Sequence, residues 1–275
     1  MTLLSKIRKR LIGARRVVYT CLFGYSETFA DLAYERDPTI DFICFTDMPE
    51  VRSDFWQIVK VDRGRLDPSR AAKQRKILPH RFLSNYDSSL YIDNTVRLKM
   101  PPLEIFERFL EPSASPFVCF RHPWRQCIYD EAREVIACDL EDPKRVNAQM
   151  DRYRESGYPA GNGLWKGAFL LRRHNDSGLI PLMETWFDHV CNYSNRDQLS
   201  LPVIFWLNQF QPGVIDLDFA DNNVVEYPYP SNPIRVPRWF DDEAYLRLNP
   251  DVRAAKMNPR RHFLLHGAAE GRRFR

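Results

Sequence analysis

Short apolar segments alternate with segments of helical periodicity along most of the chain. Apolar runs cover residues 17–23 (VVYTCLF), 41–45 (DFICF), 55–61 (FWQIVKV) and 89–92 (SLYI), and residues 70–83 between them repeat with helical spacing. Short runs rich in β-branched and aromatic residues and bounded by Gly or Asp are typical of strands. The alternation predicts an α/β fold, with a Rossmann-type sheet that contains parallel strands and is flanked by helices.

The second half of the chain continues this alternation and then changes character. We predict helices over residues 101–110, 179–190 and 194–208, and strands over 117–120 and 166–171. Pro230, Pro233 and Pro237 then mark a linker, followed by two short helical patterns at 239–248 and 259–266. We therefore predict an N-terminal segment (1–16), a main domain (17–236) and a small helical C-terminal module (237–275). The module is too short for a robust core of its own, so we expect it to pack on the main domain or on a partner.

The charge of the chain is distributed unevenly. The net charge is +4, but residues 1–16 carry six basic residues and no acid, and residues 252–275 carry seven basic residues and one acid. The two ends together hold +12, which leaves −8 on residues 17–251. Nucleic-acid binders usually carry their basic patch on the folded body, so this distribution argues against nucleic acid as a partner. It leaves open a peripheral contact between the basic ends and an anionic membrane.

The N-terminal segment allows two interpretations. Its apolar residues recur at helical spacing with basic residues between them, namely Leu3, Leu4, Ile7, Leu11 and Ile12. They predict either a basic amphipathic helix on a membrane surface or a solvated terminal helix without a binding role. No apolar run approaches the ~20 residues of a membrane-spanning helix, and no signal peptide is recognisable. The six scattered cysteines form no Cys-x-x-Cys pair, so we expect free thiols and a cytoplasmic protein, with association at the inner membrane face left open.

Asp93 is the first candidate for a functional residue. In α/β sheets ligands bind at the carboxyl ends of the strands, and Asp93 directly follows the run at residues 89–92. A carboxylate at this point could hold Mg²⁺ or Mn²⁺ against a diphosphate, because hard oxygen ligands suit these ions. Alternatively, Asp93 only closes an Asp-Asn turn by accepting a hydrogen bond from its own downstream backbone.

Further candidates could contact a nucleotide. Arg70, Lys73 and Lys76 are spaced three apart in the predicted helix. Arg70 and Lys73 thus share a face that could stabilise a departing nucleotide diphosphate, unless it is only a solvated basic face. Tyr25 and Asp47 follow the first two predicted strands, and Asp47 could bind a ribose or a base or could simply end its strand.

Two later segments carry candidates for substrate contacts. Asp197 and Gln198 follow Ser194 at a predicted helix start. Either Ser194 and Asp197 form a capping box, or Asp197 and Gln198 project into the site and contact the sugar or the reacting centre. His122 and Arg125 lie in the loop after residues 117–120 and could contact substrate, although a single His is more often structural.

Several common enzyme motifs are missing from the sequence. There is no Gly-x-Gly-x-x-Gly fingerprint and no P-loop, which argues against a dinucleotide-dependent oxidoreductase and a P-loop NTPase. There is also no Gly-x-Ser-x-Gly nucleophile elbow, which argues against an α/β-hydrolase.

Several motifs in a fixed order resemble one known family. VVYTCLFGYSE, ICFTD, RAAKQRKILPHRFLSNYDSSLYIDN, RHPWRQCIYDEA, LLRRHN and SNRDQLSLPVIFW follow one another over residues 17–210. The chain resembles bacterial members of the glycosyltransferase-like family of plant pectin and mucilage biosynthesis proteins, formerly a domain of unknown function. The resemblance implies a GT-A fold and kinship with the family-eight glycosyltransferases. By that analogy it implies metal-dependent transfer, with retention of the anomeric configuration.

The resemblance also implies roles for individual residues. Asp93 matches the first Asp of the Asp-x-Asp metal motif of family eight, and Thr95 stands where the second Asp would be. Arg70 and Lys73 match the basic helix that precedes that motif. The late Asp-Gln pair of the active site is matched by Asp197 and Gln198, and a sugar-contacting Asn is matched by Asn162.

The sequence as a whole therefore predicts a glycosyltransferase. We expect a nucleoside-diphosphate sugar as donor, most simply a UDP-sugar, a glycan as acceptor, and a role in cell-surface polysaccharide biosynthesis. The expected roles are a metal ligand (Asp93), nucleotide contacts (Tyr25, Asp47, Arg70, Lys73), catalytic residues (Asp197, Gln198) and substrate contacts (Asn162, His122, Arg125). A sugar nucleotidyltransferase and a non-catalytic scaffold of a polysaccharide assembly complex remain alternatives.

Overall fold

The computed structural model contains a seven-stranded mixed sheet flanked by helices, which confirms the predicted α/β fold. It describes residues 14–25, 27–138, 140–227, 236–237, 240–268 and 270–274. Most of the N-terminal segment therefore lies outside the described residues, and so do residues 228–235 of the predicted linker. The strands are β1 (Arg16–Leu22), β2 (Ile40–Thr46), β3 (Gln57–Lys60), β4 (Ser88–Ile92), β5 (Arg97–Leu98), β6 (Phe117–Arg121), β7 (Trp165–Arg172), β8 (Gly213–Ile215) and β9 (Val225–Glu226).

The direction of the strands determines which residues meet at one edge of the sheet. The strand order is β3-β2-β1-β4-β7-β6-β8, and β5 pairs with β9 in a separate two-stranded ribbon. Strands β1 to β4 run parallel to one another, and β7 runs antiparallel to β4 and β6. The carboxyl ends of β1, β2 and β4 consequently lie beside the amino end of β7. Residues that follow β4 thus meet residues that begin β7, which are far away in sequence.

The helices lie between and around these strands. They are α1 (Pro68–Ile77), α2 (Pro79–Phe82), α3 (Pro102–Ile105), α4 (Ile128–Ala137), α5 (Pro143–Glu155), α6 (Leu179–Asn192), α7 (Leu201–Leu207), α8 (Asp242–Leu248), α9 (Pro250–Ala254) and α10 (Pro259–His262). Helices α3 and α10 each continue into a π-helical segment, at Phe106–Leu110 and Phe263–Gly267. A 3₁₀ turn, Asp197–Leu199, precedes α7.

Two predicted helices differ from those observed. The pattern at residues 70–83 is divided into α1 and α2, because Leu78 leaves the helical conformation before Pro79. A residue that precedes proline is sterically disfavoured in the α region, which explains the break. The helix expected from residue 194 begins at Leu201, and the intervening residues form the 3₁₀ turn and the loop before it.

Both faces of the sheet are covered by apolar cores. On one face, β1, β2 and β7 pack against α1, α6 and α7, with the fully buried Trp186 of α6 among them. Replacing a buried aromatic of this size with Ala costs about 3–5 kcal/mol. The opposite face contains residues of β4 and β6 together with Phe240, Tyr245 and Phe263 of the C-terminal module. The module therefore shares an apolar cluster with the sheet.

The free thiols expected from the sequence are confirmed, since all six cysteines are unpaired. No helix within the described ranges is long and apolar enough to span a membrane.

Candidate functional site

A polar pocket of about 660 Å³ opens at the carboxyl ends of β1 and β4. The end of β1 forms one wall, and Lys73 of α1, Asp93 and Arg196 form others. A pocket at this edge is where α/β sheets bind their ligands. Among the described residues, the lining consists of Cys21, Leu22, Phe23, Gly24, Glu27, Asp67, Pro68, Ser69, Ala72, Lys73, Tyr91, Asp93, Asn94, Thr95, Asn195, Arg196, Tyr227, Val236, Pro237 and Arg260.

Asp93 lies at the floor of this pocket. Its backbone N–H donates to the carbonyl of Ala168 in β7 at 2.9 Å, which extends the β4–β7 pairing by one residue. The carboxylate accepts a hydrogen bond from Tyr91 Oη at 2.7 Å and remains about one-third exposed. The turn that follows is closed by the backbone, where Val96 N donates to the Asp93 carbonyl at 2.9 Å. The Asp93 side chain is thus available to a ligand.

A buried ionic cluster lies next to Asp93. Lys76 Nζ is 2.5 Å from Asp197 Oδ2 and 4.0 Å from Asp93 Oδ1, and Lys73 Nζ is 3.1 Å from Asp197 Oδ1. Asp197 and Lys76 are almost fully buried, whereas Lys73 also lines the pocket. Two ammonium groups thus surround one buried carboxylate at the pocket wall. With Asp93 included the four groups are neutral, and the positive charges that Lys73 and Arg196 bring to the pocket lining are the ones that suit an anionic ligand.

Burial and ion pairing act against each other on the pKa values in this cluster. Burial disfavours the charged form of Asp197, but the ammonium groups of Lys73 and Lys76 outweigh it and hold its pKa well below the usual range. Burial also disfavours the charged form of Lys76, and Asp197 and Asp93 reverse that effect and raise its pKa. For Lys73 burial prevails, and its pKa is lowered despite the attraction of Asp197.

The local sequence explains why the cluster forms. Asp67 caps α1 by accepting from Arg70 N at 3.0 Å, and Pro68 starts the helix, so Lys73 and Lys76 lie one turn apart. Gly167 of β7 leaves the space that the cluster occupies. A Cβ there would lie 2.9 Å from Lys76 Nζ and 3.3 Å from Asp197 Oδ2.

The Asp-Gln pair does not form the predicted capping box, and a contact of Asp197 and Gln198 with the sugar or the reacting centre stays a prediction. Ser194 Oγ accepts from Arg196 N at 2.9 Å, and the Asp197 carboxylate faces the two lysines instead of completing a capping box. The Asp197 carbonyl is fixed by Trp186 Nε1 at 3.0 Å. Gln198 Nε2 donates to the Trp165 carbonyl at 3.3 Å, which places Gln198 at the start of β7.

Arg70 does not line the pocket. Its Nε donates to the Val190 carbonyl and an Nη to the Tyr193 carbonyl, each at 3.1 Å, and the other Nη pairs with Asp67 at 2.8 Å. Arg70 thereby satisfies carbonyls at the carboxyl end of α6. Lys76, and not Arg70, shares the Asp197 carboxylate with Lys73. The sequence predicts a role for Arg70 and none for Lys76, although both residues are three positions from Lys73.

Tyr25 and Asp47 are not part of the pocket lining. Asp47 Oδ1 accepts from Gly24 N at 2.9 Å and Oδ2 pairs with Arg63 Nε at 2.6 Å, beside a separate cavity of about 450 Å³. Tyr25 Oη donates to Glu50 Oε2 at 3.2 Å. Asp47 therefore fixes the backbone after β1, and it is that backbone, including Gly24, that lines the pocket.

His122 and Arg125 form part of a neighbouring polar cluster. His122 Nδ1 accepts from Arg125 N at 3.1 Å, and Arg125 Nε pairs with Glu131 Oε2 at 2.5 Å. Burial, followed by the charges of Lys166 and Arg125, lowers the pKa of His122 to about 3. The imidazole is thus neutral near pH 7 and cannot offer a positive charge to a phosphate.

Lys166 links that cluster to the pocket and was not identified from the sequence. It is buried, and its Nζ lies 4.2 Å from the centre of the Tyr227 ring, which itself lines the pocket. Such a contact stabilises an ammonium by cation–π attraction. Its place at the amino end of β7, one residue before Gly167, was the available signal.

Asn162 lies at a third cavity of about 300 Å³, lined by amide and aromatic side chains that include Trp165, Trp206 and Gln209. The Trp165 carbonyl accepts from Gln198, which connects Gln198 to a residue that lines this cavity.

The divalent cation implied by the resemblance fits the site in a limited way. Asp93 is a partly exposed carboxylate that faces the pocket, and Thr95 supplies no second carboxylate. Among the described residues, no group of three or more His, Cys, Asp or Glu side chains could hold a metal ion. Mg²⁺ commonly binds one or two carboxylates and takes its other ligands from phosphates and water. The residues therefore fit an ion that is shared with a bound diphosphate.

Comparison with known proteins identifies a relative and a family. The chain is 30% identical over 159 residues to the Probable hexosyltransferase MUCI70 of Arabidopsis thaliana, a match that covers 54% of this chain and 27% of that protein. The chain thus spans about a quarter of the length of this relative. The family model of the TOD1/MUCI70 glycosyltransferase-like domain matches residues 11–220, a range that includes Lys73, Lys76, Asp93 and Asp197. The chain therefore belongs to the TOD1/MUCI70 glycosyltransferase-like domain family.

Proposed function

We propose that this protein is a GT-A-type glycosyltransferase that moves a sugar from a nucleoside-diphosphate sugar to a glycan acceptor. The observation that carries the proposal is the pocket at the carboxyl edge of the sheet that Asp93 and Lys73 line, with the buried Asp197 and Lys76 beside it. A carboxylate and a cationic wall on one pocket are suited to a diphosphate that binds with a divalent cation. Family membership supports the same activity.

The chemistry requires charge stabilisation where the donor breaks. The bond between the anomeric carbon and the diphosphate oxygen breaks, a bond to the acceptor oxygen forms, and the acceptor hydroxyl loses its proton. Negative charge develops on the departing diphosphate, and Lys73 and Arg196 line the pocket where they can attract it. Asp93 would hold Mn²⁺ or Mg²⁺ there, and such an ion supplies Lewis-acid stabilisation of the phosphate oxygens.

The remaining residues of the cluster position the others. Asp197 holds Lys73 at 3.1 Å, so the ammonium stays at the pocket wall even though burial lowers its pKa. Lys76 is too buried to reach a ligand freely and instead fixes the orientation of Asp197. Preorganised charges of this kind need little rearrangement as the reaction proceeds.

The acceptor is proposed to approach from the start of β7. Gln198 donates to the carbonyl of Trp165, which lines the cavity that contains Asn162. Amide groups and aromatic rings line this cavity, a mixture that suits a small-molecule site. A glycan hydroxyl that enters past Gln198 would face the donor sugar. A UDP-sugar donor, retention of configuration, a role in cell-surface polysaccharide biosynthesis and a cytoplasmic location with peripheral membrane contact remain proposals from the sequence.

A ligand screen tests the proposal. Thermal unfolding is measured with UDP, GDP, CDP and their sugars, with and without Mn²⁺. A ligand that binds only the folded state at 100 times its Kd adds about 2.7 kcal/mol. We expect a Mn²⁺-dependent increase with one nucleotide that is lost in Asp93→Ala. No increase with any nucleotide would contradict the proposal and favour a scaffold, whereas binding of a nucleoside triphosphate together with a sugar phosphate would favour a nucleotidyltransferase.

A further inference from the structure

The C-terminal module forms part of the wall of the Asp93 pocket. Val236 and Pro237 line it where the module begins, and Arg260 of α10 lines it from inside the module. All three residues lie beyond residue 220, where the match to the glycosyltransferase-like domain ends. The pocket is thus completed by a part of the chain outside the family domain.

Arg260 is held in a defined orientation within the module. Its Nε pairs with Asp242 Oδ1 at 2.8 Å and its Nη2 donates to the Phe240 carbonyl at 3.3 Å. The guanidinium also lies 5.7 Å from the centre of the Phe240 ring. Within the described ranges, Nη1 has no hydrogen-bond partner, and the side chain is 37% exposed. These three contacts hold the guanidinium, and among the described residues they leave Nη1 without a partner.

The module is attached to the main domain close to the same pocket. Arg261 Nε lies 3.4 Å from Glu50 Oε1, and Glu50 Oε2 accepts the hydrogen bond of Tyr25 Oη. Tyr25 follows Gly24, which lines the pocket. Phe240 and Phe263 join the apolar cluster of the sheet. The residue next to Arg260 thus connects the module to the loop after β2 and, through Glu50, to Tyr25 after β1, which limits how far Arg260 can move from the pocket.

We propose that the C-terminal module contributes Arg260 as a phosphate-binding residue of the donor site. This inference rests on the proposed function, because it assumes that the pocket binds a nucleoside diphosphate. A guanidinium offers a fixed set of donors that match phosphate oxygens, and its charge does not depend on pH in the usual range. Arg260 approaches from the module side, while Lys73 lines the pocket from α1. The phosphates would lie between cations from two separate parts of the chain.

The test compares Arg260→Gln with a matched control in the same module. Arg253→Gln also removes one positive charge, but Arg253 is exposed, pairs with Glu243 at 3.5 Å and does not line the pocket. Calorimetric titrations use UDP, GDP or CDP, whichever the wild-type protein binds, and the corresponding nucleoside monophosphate, all with Mn²⁺. We expect Arg260→Gln to weaken diphosphate binding about tenfold or more, which corresponds to about 1.4 kcal/mol. Monophosphate binding should change less than threefold, and Arg253→Gln should bind as the wild type does.

The outcomes separate this inference from the proposed function. If the wild-type protein binds no nucleoside diphosphate, the proposed function fails and this inference fails with it. If the wild type binds but Arg260→Gln binds equally well, the inference alone is overturned. Should Arg260→Gln not fold, Arg260→Lys keeps the charge and removes the planar donor set. That variant is expected to bind the diphosphate more weakly than the wild type, and wild-type affinity in it would also overturn the inference.

Discussion

The charge balance of the buried cluster leads to a quantitative prediction for Asp197→Asn. The substitution removes the single carboxylate that lies 2.5 Å from Lys76 Nζ and 3.1 Å from Lys73 Nζ. At an effective dielectric constant of about 20, each of these contacts attracts by roughly 5–7 kcal/mol before the cost of desolvation is subtracted. Desolvation cancels much of this attraction, but removing one partner leaves the buried charges uncompensated. We therefore expect a loss of about 3–5 kcal/mol in the free energy of unfolding.

A double-mutant cycle with Lys76→Met isolates the interaction. Lys76→Met leaves Asp197 paired with Lys73, and in the double variant Lys73 faces only a neutral amide. The double variant should therefore be more stable than the sum of the two single changes predicts, by about 1–3 kcal/mol. Urea unfolding can be followed by tryptophan fluorescence, since the buried Trp186 donates to the Asp197 carbonyl.

The control for Asp197→Asn is the same substitution in an exposed ion pair. Asp130→Asn breaks the exposed pair with Arg133, and it should change stability by less than about 1 kcal/mol. If Asp197→Asn costs no more than Asp130→Asn, or if the cycle is additive, the argument that the cluster is a coupled buried unit is refuted.

Three further predictions concern neighbouring residues. Because the pKa of His122 is about 3 in the folded protein and about 6.5 in an unfolded chain, its contribution to stability is complete above pH 6.5 and is lost as the pH falls toward 3. His122→Asn should flatten this decline, which is at most about 1.4 kcal/mol per pH unit, in urea titrations between pH 4.5 and 7.5. Arg70→Met should cost about 1–3 kcal/mol of stability and leave nucleotide affinity unchanged. Lys73→Met should weaken nucleoside-diphosphate binding roughly tenfold. A larger loss of affinity in Arg70→Met than in Lys73→Met, measured by calorimetry, would contradict the assignment of Lys73 to the nucleotide site. Gly167→Ala should lower stability by about 1–3 kcal/mol, because its Cβ would lie 2.9 Å from Lys76 Nζ, and an unchanged unfolding midpoint would count against that contact.

The fold could be predicted because its signals are local. Short apolar runs separated by helical repeats predict strands and helices directly, and the strand before Asp93 ends where the pattern placed its end. Pro79 is visible in the sequence as well, and it divides into two helices the repeat at residues 70–83 that helical spacing alone predicts as one. Helix α7 starts later than expected because the segment from Ser194 follows the loop that carries Asp197 to the two lysines.

The site was predictable only where a residue directly follows a strand or belongs to a recognisable motif. Asp93, Asp197 and Lys73 meet the first or second condition, and the structure brings them together. Arg70 and Lys76 are equally spaced from Lys73, so their spacing does not predict which of them joins Lys73 at the site. The rotation of α1 about its axis determines that Lys76 is the buried residue, because Ala71 and Ile77 are buried against the sheet and turn Lys76 inward.

Other site residues depend on contacts that no local pattern encodes. Arg260 reaches the pocket only because the C-terminal module packs on the sheet, far along the chain from Asp93. His122 is a candidate from the sequence because it follows a strand. In the structure its Nδ1 accepts a hydrogen bond from the backbone N–H of Arg125, and the ring is neutral near pH 7. Tertiary packing determined these outcomes.

Donor-site activity is tested most directly by the release of nucleoside diphosphate from a set of UDP-, GDP- and CDP-sugars in the presence of Mn²⁺, with water or a glycan as acceptor. We expect release from one nucleotide class by the wild-type protein and at least a tenfold lower rate in both Asp93→Asn and Lys73→Met, while Arg253→Gln releases at the wild-type rate. Release that is unaffected by both pocket substitutions, or no release from any donor, would contradict the claim that this pocket is the donor site of a glycosyltransferase.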